Sequence, residues 1–320
     1  MKQLFTILVA LIFSGAALAQ QAPQYSLYMF NKLNWNPAYA GLDHSLSATG
    51  LVRSQWAGLE GNPVSQNLTA HMPLYLLGGG IGINVENDAA GAQRYTTASL
   101  SYSHHKYIGN GILSFGASGG MVQRSIDGSE LRTPDGEYGE NVTIHGEGLL
   151  PIGVESATVT SFGAGIYYQS ELFEAGLSVR NLTEPSAQVG QLNLELGRTY
   201  YFNLGFNLNI NDQITIHPSL LLKSILVQTQ IEFSTLIRYN DNIFVGASFR
   251  GYDINSNDAV VMFAGFKLSE KITLAYGYDL TLSDLNLVSN GSHEIMLNYN
   301  LNKRIGTGQP PRIIFNPRTL

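Results

Sequence analysis

The chain has 320 residues, a net charge of −6, no cysteine and only 13% charged residues. Globular proteins carry about twice that charged fraction, so much of this surface is expected to face something other than water. The acidic balance and the lack of any Lys/Arg cluster exclude a nucleic-acid partner, and the absence of cysteine excludes a disulfide framework.

The first 19 residues have the pattern of a secretory signal peptide. Lys2 precedes a short apolar run at residues 4–18, and Ala17-Leu18-Ala19 forms a small-x-small cleavage signature. An N-terminal membrane helix is the alternative, but the run is shorter than the roughly 20 residues that span a bilayer. No later stretch of the sequence reaches 18 apolar residues, which argues against helical spans.

Residues 20–43 are rich in aromatic residues and asparagines and have no clear hydrophobic period. Asn36-Pro37 and Gly41 interrupt the stretch. Its aromatic residues are too many for a tail surrounded by water. They are Tyr25, Tyr28, Phe30, Trp35 and Tyr39.

Residues 44–302 repeat a period of two. In the most regular stretch, residues 200–210, apolar side chains alternate with asparagines and glycine. Because successive side chains of a strand point to opposite faces, this pattern gives one apolar face and one amide-lined face. A barrel in lipid with a hydrated interior has such strands. We predict about 14 of them, near 44–57, 63–75, 79–87, 94–107, 111–126, 158–170, 172–181, 199–210, 213–224, 227–239, 243–252, 259–268, 271–281 and 292–302.

The predicted fold is therefore all-β, a closed antiparallel transmembrane β-barrel over residues 44–302 with a periplasmic tail at 303–320. The connections after even-numbered strands are short. Most of those after odd-numbered strands are longer, with one tight exception near 224–226, and the notable long ones are 127–157, 181–198, 251–258 and 282–291. Short periplasmic turns and long external loops are typical of outer-membrane barrels, which predicts that both termini are periplasmic.

The same alternation assigns charged residues to the inside of the barrel. A charge that faces lipid at mid-bilayer costs roughly 2–4 kcal/mol, so this confinement favours the barrel. The mixture of signs predicts ion pairs that brace or fill the lumen, rather than a pore of one charge. Pro218 is an exception inside a strand and requires a bulge or relief on the lumenal side. The inward charges are Arg53, Glu86, Arg180, Glu232, Arg238, Arg250, Asp279 and Glu294.

Several motifs resemble a known family. They are QYSLYMFN at 24–31 with NPAYAG at 36–41, RSQWAG at 53–58, and YGYDL at 276–280 with GSHEIML at 291–297. Together they resemble the PorP/SprF family of outer-membrane barrels, components of the type IX secretion system. The resemblance extends over the mature chain and is weakest from about 127 to 197.

The resemblance implies a non-enzymatic component in the outer membrane of a Gram-negative cell. It would support the export or surface anchoring of proteins, including adhesins, that carry C-terminal sorting domains. Its implied partners are outer-membrane lipid, the exported substrate and the ring and motor-linked parts of the type IX machinery in the periplasm.

Within this barrel, the stretch 20–43 is predicted to plug the mouth or to lie along the periplasmic rim, where asparagines would satisfy lumenal polar groups. A periplasmic docking surface is the alternative. Arg53 is predicted to tie the stretch to the wall, and Trp56 is interpreted first as an interfacial anchor. The candidate plug or partner contacts are Tyr25, Tyr28, Phe30, Asn31, Asn36, Pro37, Tyr39, Arg53 and Trp56.

The predicted loop at 127–157 is strongly acidic, with Arg132 as its only Lys or Arg. We interpret it first as a solvated external loop. The alternative is a contact surface for a secreted partner, with Asp135, Glu137 and Glu140 as candidates. Calcium bound by these carboxylates is a weaker alternative, because they show no ordered ligand spacing.

No catalytic site, cofactor or metal site is predicted. His104-His105 lies next to two serines, but neighbours on a strand point to opposite faces, so the histidine pair does not form one site. No His/Asp/Glu group has zinc spacing. The competing interpretations are an outer-membrane diffusion porin or small-molecule transporter, a soluble secreted β-sandwich and a membrane-embedded hydrolase.

Overall fold

The computed structural model describes residues 23–139, 142–146, 148–253, 256–303 and 305. In this part of the chain, 14 antiparallel strands form one closed barrel. Each strand pairs with its neighbours in sequence, and β1 pairs with β14 to close the sheet. The strands are β1 (Ser47–Ser54), β2 (Val64–Leu74), β3 (Gly79–Ala90), β4 (Gln93–Ile108), β5 (Gly111–Asp127), β6 (Val154–Ser170), β7 (Phe173–Arg180), β8 (Thr199–Phe206, continued by Leu208–Asn209), β9 (Ile214–Ser224), β10 (Thr229–Tyr239), β11 (Ile243–Asp253), β12 (Ser256–Lys267), β13 (Ile272–Thr281) and β14 (Ser292–Asn300).

The predicted fold class is confirmed, and the two faces of the wall follow the predicted alternation. In β1, Leu51 and Arg53 are buried, whereas Val52 between them is 51% exposed. Large apolar side chains cover the outer face of the other strands in the same way, as at Leu68, Phe115 and Leu297. Such an outer surface suits hydrocarbon and would be a liability in water. Within the described ranges, none of the helices has the length and apolar character needed to cross a membrane.

The connections confirm the predicted sorting by length only in part. All those after even-numbered strands are short, and they define what we call the short-turn end of the barrel. The prediction of a long loop at 251–258 is wrong, because β11 and β12 stay paired up to Asp253 opposite Ser256. Two more connections at the opposite end, which we call the loop end, are also tight: residues 91–92 and 225–228. Long loops therefore remain only after β1, β5, β7 and β13.

Pro218 is accommodated without a bulge. β8 and β9 pair through Gly205 opposite Ser219 and again through Leu208 opposite Ile216, in an unchanged register. Pairing is interrupted only between these two positions, where Pro218 has no N–H to donate. The ladder therefore skips the proline instead of shifting around it.

The chain before β1 lies inside the barrel. We call residues 23–46 the inner segment; it contains three single 3-10 turns, Tyr28–Phe30, Lys32–Asn34 and Pro37–Tyr39. Its residues bond to strands on all sides of the barrel: Ser26 to β1, β11, β13 and β14, Asn34 to β2 and β3, and Asn36 to β6 and β7. Only a segment in the lumen can contact strands around the whole circumference.

The lumen is more apolar than the sequence pattern predicts. Buried side chains of the inner segment, including Leu27 and Met29, pack with inward-facing Leu51, Phe263 and Met296. A second apolar cluster surrounds Trp35 and Leu42 of the inner segment. The expected hydrated interior is thus replaced, along the inner segment, by a packed core.

Two small hairpins lie in the long loops. The first, Glu137–Gly139 with Val142–Ile144, is in the connection between β5 and β6. The second, Ser186–Val189 with Leu192–Glu195, follows β7 and packs against β5 and β6. Its Ala187 and Val189 are fully buried. The second hairpin thus covers part of the loop end from the lumenal side.

Candidate functional site

Ser26 lies at the centre of a buried charge cluster near the loop end. Its hydroxyl accepts hydrogen bonds from Arg53 Nη1 (2.8 Å) and Arg250 Nη2 (2.7 Å), and it donates to Asp279 Oδ1 (2.8 Å). One donated and two accepted bonds use the full capacity of a hydroxyl group. Both arginines also pair with Asp279 Oδ2 at 2.7 Å. The inner segment is therefore bonded to three strands through one side chain.

Glu294 holds the backbone of the same residue. Its two carboxylate oxygens accept from the N–H groups of Ser26 (2.7 Å) and Leu27 (3.0 Å), and Arg53 Nη1 lies 3.2 Å from one of them. Arg53 and Glu294 are direct partners in the pairing of β1 with β14. The inner segment is thus attached across the seam that closes the barrel.

Arg250 extends the cluster to the neighbouring wall. Its guanidinium forms a two-point pair with Glu232, with Nε–Oε2 at 2.9 Å and Nη2–Oε1 at 3.2 Å. With its amide oriented to satisfy these donors, Gln24 accepts from Arg250 Nε at 2.6 Å. Two guanidinium groups and three carboxylates, all at most 5% exposed, therefore meet around residues 24–27. Buried charges of this kind are tolerated only when each is paired and hydrogen-bonded.

A network of amide side chains connects the middle of the inner segment to β2 and β3. Asn31 donates to Asn67 (2.7 Å) and accepts from Thr69 (2.7 Å). Asn67 donates to Asn84 (2.7 Å) and to Asn34 (3.2 Å), and Asn84 also donates to Asn34 (3.2 Å). All five residues are buried, so each amide depends on the others for its hydrogen bonds.

The opposite wall is attached through Lys32 and Asn36. The Lys32 ammonium lies 2.5 Å from Glu174 of β7. The Asn36 amide donates to the carbonyl groups of Ile166 (3.1 Å) and Leu177 (3.4 Å). The Asn36 oxygen meanwhile accepts from the N–H of Ala38 and so caps the third 3-10 turn (2.9 Å).

Close backbone contact fixes the part of the inner segment nearest the short-turn end. The carbonyl of Ala38 accepts from Ser114 (2.6 Å), and that of Ala40 accepts from Ser103 (2.6 Å). Gly116 of β5 faces Ala38 so closely that a Cβ atom there would overlap its backbone. A glycine in a strand interior often marks such a close approach.

The aromatic candidates in the first half of the inner segment are in or beside its apolar core. Tyr25 is 7% exposed, and the Tyr28 hydroxyl shares a hydrogen bond with Ser219 (2.9 Å). Burial raises the pKa of the Tyr28 hydroxyl above its ordinary value, which keeps it protonated. The ring of Phe30 lies 4.8 Å from that of Phe244, between centroids.

The candidates in the second half pack around one wall tyrosine. The Tyr39 ring meets Tyr167 edge-on at 5.2 Å, and the Trp35 ring lies 6.2 Å from Tyr167. Pro37, which is buried, opens the 3-10 turn that positions Tyr39. Trp56, in contrast, is outside this core, in the loop after β1, where its φ is 52° and its N–H donates to Ser292 (3.0 Å).

The cavity between the inner segment and the wall is small. It has a volume of about 40 Å³ and is lined by polar and aromatic side chains, among them Gln24, Tyr28, Arg180 and Glu232. A single water requires about 10–15 Å³ of such volume, so the cavity holds a few waters and no solute. The inner segment therefore fills the lumen around residues 23–35 except for this cavity.

The acidic loop candidates occupy a different place. Asp135 and Glu137 are exposed near the first hairpin, whereas Glu140 lies outside the described residues. His145 is buried beneath this hairpin, with Nε2 2.9 Å from the Pro151 carbonyl and Nδ1 3.2 Å from the Tyr138 hydroxyl. In the described part of the chain, no three His, Asp or Glu side chains are grouped so as to hold a metal ion.

Ser103 and His105, from the stretch of serines and histidines weighed above as a catalytic group, form a pair on one face of β4. Both face the lumen, and Ser103 Oγ lies 2.9 Å from His105 Nε2. The same two atoms also contact the carbonyl of Ala40, at 2.6 and 3.0 Å. The pair thus binds the inner segment through the Ala40 carbonyl.

Ser26, Glu174 and Asn67 are central to this site but were not among the predicted contacts. Ser26 lies inside the motif at 24–31, in which only the aromatic residues and Asn31 were predicted contacts. Glu174 and Asn67 have the inward parity of their strands, which is the only sequence signal that would have found them.

A closed barrel with an apolar outer face and its own N-terminal chain packed in the lumen is an integral β-barrel of the outer-membrane class. Comparison with protein families then identifies the family of this barrel. The model of the type IX secretion system membrane protein PorP/SprF matches residues 17–299, and the chain belongs to that family. The family and the fold are non-enzymatic in kind and place the protein in the outer membrane. A comparison with curated proteins finds no matching sequence.

Similar solved structures are also barrels. The toluene transporter TbuX of Ralstonia pickettii has a TM-score of 0.50 and 14% identity over 88% of this chain and 94% of that chain. The outer membrane protein Omp33 of Acinetobacter baumannii has a TM-score of 0.46 and 9% identity over 80% of this chain and 98% of that chain. At these identities the likeness concerns the fold alone.

Proposed function

We propose that this protein is a closed docking component of type IX secretion. In this proposal, it supports the export of substrates with C-terminal sorting domains, or anchors them at the surface, and attaches periplasmic parts of the machinery. The protein is a type IX membrane component by family. The observation that supports the finer proposal is the inner segment packed in the lumen; the cavity beside it, of about 40 Å³, is far too small for a polypeptide.

The orientation belongs to the same proposal. The short-turn end faces the periplasm and the long loops face outward, as in other outer-membrane barrels. Pro23 then lies inside the barrel toward the outer side, and residue 301 leaves at the periplasmic side. Where residues 1–22 and 306–320 lie stays a prediction, because they are outside the described residues.

Trp56, Asp135 and Glu137 are assigned roles at the outer side in this proposal. Trp56 lies in the loop after β1 and would anchor that loop at the lipid interface. The exposed carboxylates of Asp135 and Glu137 contribute to an acidic outer surface that an exported partner would contact. The proposal involves no enzymatic step and no cofactor.

Affinity purification in mild detergent tests the proposal. The full chain is expressed with a C-terminal tag in its own outer membrane, and the co-purifying proteins are identified by mass spectrometry. We expect type IX machinery components and a protein with a C-terminal sorting domain. An unrelated 14-stranded barrel purified in parallel is the control, and recovery of the same proteins with both barrels would contradict the proposal.

A further inference from the structure

One side of the barrel wall is much taller than the side next to it. β4, β5 and β6 contain 16, 17 and 17 residues, whereas β7 and β8 contain 8 each. β5 pairs with β6 up to Asp127 opposite Val154. β7, on the other edge of β6, pairs with it only up to Val179 opposite Ala164. Within the described residues, no strand pairs with this edge of β6 on the N-terminal side of Ala164, from Val154 onward.

The backbone groups along this edge point away from β5. The carbonyl of Phe162 accepts from the N–H of Leu182 on the β7 side, at 2.9 Å. Alternate residues of a strand present their N–H and C=O groups in the same direction, so Ser156, Thr158 and Thr160 also point there. All three are exposed, and no backbone partner for that edge is found in the described chain.

The edge lacks a lysine, a proline and a bulge; Glu155 is its one charged residue, and the second hairpin packs against β6 beside it. Natural sheets blunt their edges with lysine, proline or a bulge. Residues 154–161 read Val-Glu-Ser-Ala-Thr-Val-Thr-Ser, and their register with β5 is continuous, without a bulge. The sequence is instead rich in residues with high strand propensity. Such an edge is a template for an added strand.

The edge also lies where another protein can reach it. A strand of 17 residues is about 56 Å long, whereas the apolar belt of an outer-membrane barrel is about 25 Å high. The start of β6, at the loop end, therefore extends beyond the membrane even when the strand is tilted.

We propose that residues 154–161 of β6 receive an extended β-strand from an exported protein at the cell surface. This proposal rests on the proposed function, since it names the contact through which the exported protein is held. Main-chain hydrogen bonds would supply affinity, as in other cases of strand addition. The exposed carboxylate of Glu155 lies on the edge strand, and that of Glu130 is in a turn that contacts the same strand, so the added strand carries lysine or arginine.

A proline substitution tests the proposal because it removes one N–H from the free edge and leaves the pairing with β5 intact. Thr158→Pro is compared with Thr158→Val, which keeps the N–H and the β-branched shape. The probe is the purified C-terminal sorting domain of a type IX substrate from the same organism, titrated against the full barrel in detergent micelles. We expect Thr158→Pro to weaken binding on the order of tenfold, and Thr158→Val to bind like the unmodified protein. Equal melting of both variants shows that the barrel is intact.

The outcomes separate the two proposals. Equal binding of the proline variant would overturn strand addition and leave the docking function standing.

If the unmodified barrel does not bind the sorting domain, the docking function fails for that substrate. In that case, hydrogen exchange of the backbone amides of Ser156, Thr158 and Thr160 tests whether an added strand pairs with the edge. Protection in native outer membranes but not in purified monomer supports strand addition. Free exchange in both, or protection that appears only as purified barrels dimerise, would overturn it.

Discussion

Arg53→Ala is predicted to destabilise the barrel by removing the charge that joins the inner segment to the seam. Arg53 is 1% exposed and contacts Ser26, Asp279 and Glu294 at 2.7–3.2 Å. Removing one partner of a buried pair costs roughly 3–5 kcal/mol, because the other charge stays buried without compensation. Asp279 retains Arg250, and Glu294 retains two backbone N–H groups. We therefore expect a loss near 3 kcal/mol, the lower end of that range.

Arg238→Ala is the matched control. Arg238 also lies on the inward face, but its side chain is 39% exposed and its contact with Asp241 is 4.0 Å long. An exposed pair of this kind contributes at most about 1 kcal/mol. Both variants and the unmodified protein are unfolded with urea in lipid vesicles, and folding is followed by the shift in gel mobility of the unheated barrel and by tryptophan fluorescence.

One result of comparing the two variants would refute the predicted role of Arg53. If Arg53→Ala and Arg238→Ala lower the free energy of unfolding by the same amount, within about 1 kcal/mol, Arg53 does not hold the inner segment. Adding Glu294→Ala to Arg53→Ala extends the test. A double-mutant cycle should show coupling above about 0.5 kcal/mol, since the two side chains are in contact.

Three further predictions concern the packing of the inner segment. Gly116→Val should destabilise the barrel by about 1–3 kcal/mol because the backbone of the inner segment blocks the new side chain; Gly148→Val, where the space is open, should be neutral in the same urea titration. Asn67→Ala should cost about 1–3 kcal/mol by leaving buried amides without partners, and a melting curve that is unchanged would contradict the network. Because the chain has no native cysteine, single cysteines can be labelled with a maleimide: at the buried Ala40 we expect no reaction in the folded barrel, and at Leu76, which is 92% exposed, a rapid one. Equal labelling at both positions would show that the inner segment leaves the lumen.

The strands could be predicted from sequence because lipid and lumen impose opposite demands on alternate residues. The predicted bounds of β5, β9 and β13 differ from the observed ones by one residue at most. The turn between β11 and β12 was predicted to be a long loop because residues 255–258 are polar. Outside the membrane a polar hairpin can continue pairing, and no sequence period distinguishes it from a loop.

The inner segment could be predicted only in outline. Its aromatic content indicated burial, but single 3-10 turns have no hydrophobic period from which contacts can be derived. Ser26 is central because of where Arg53, Arg250 and Asp279 converge, and these residues are more than 20 positions away from it and from one another. Such a site is a consequence of barrel closure, which no local pattern encodes.

Planar-bilayer conductance tests the central claim most directly, namely that the protein's own N-terminal chain fills the lumen. The intact mature protein should give no steady conductance, because the inner segment packs against the wall and the cavity beside it is only about 40 Å³. A variant without residues 21–40, if its folding is shown by gel mobility, should give open channels. A steady open channel from the intact protein would contradict the account and favour a diffusion porin.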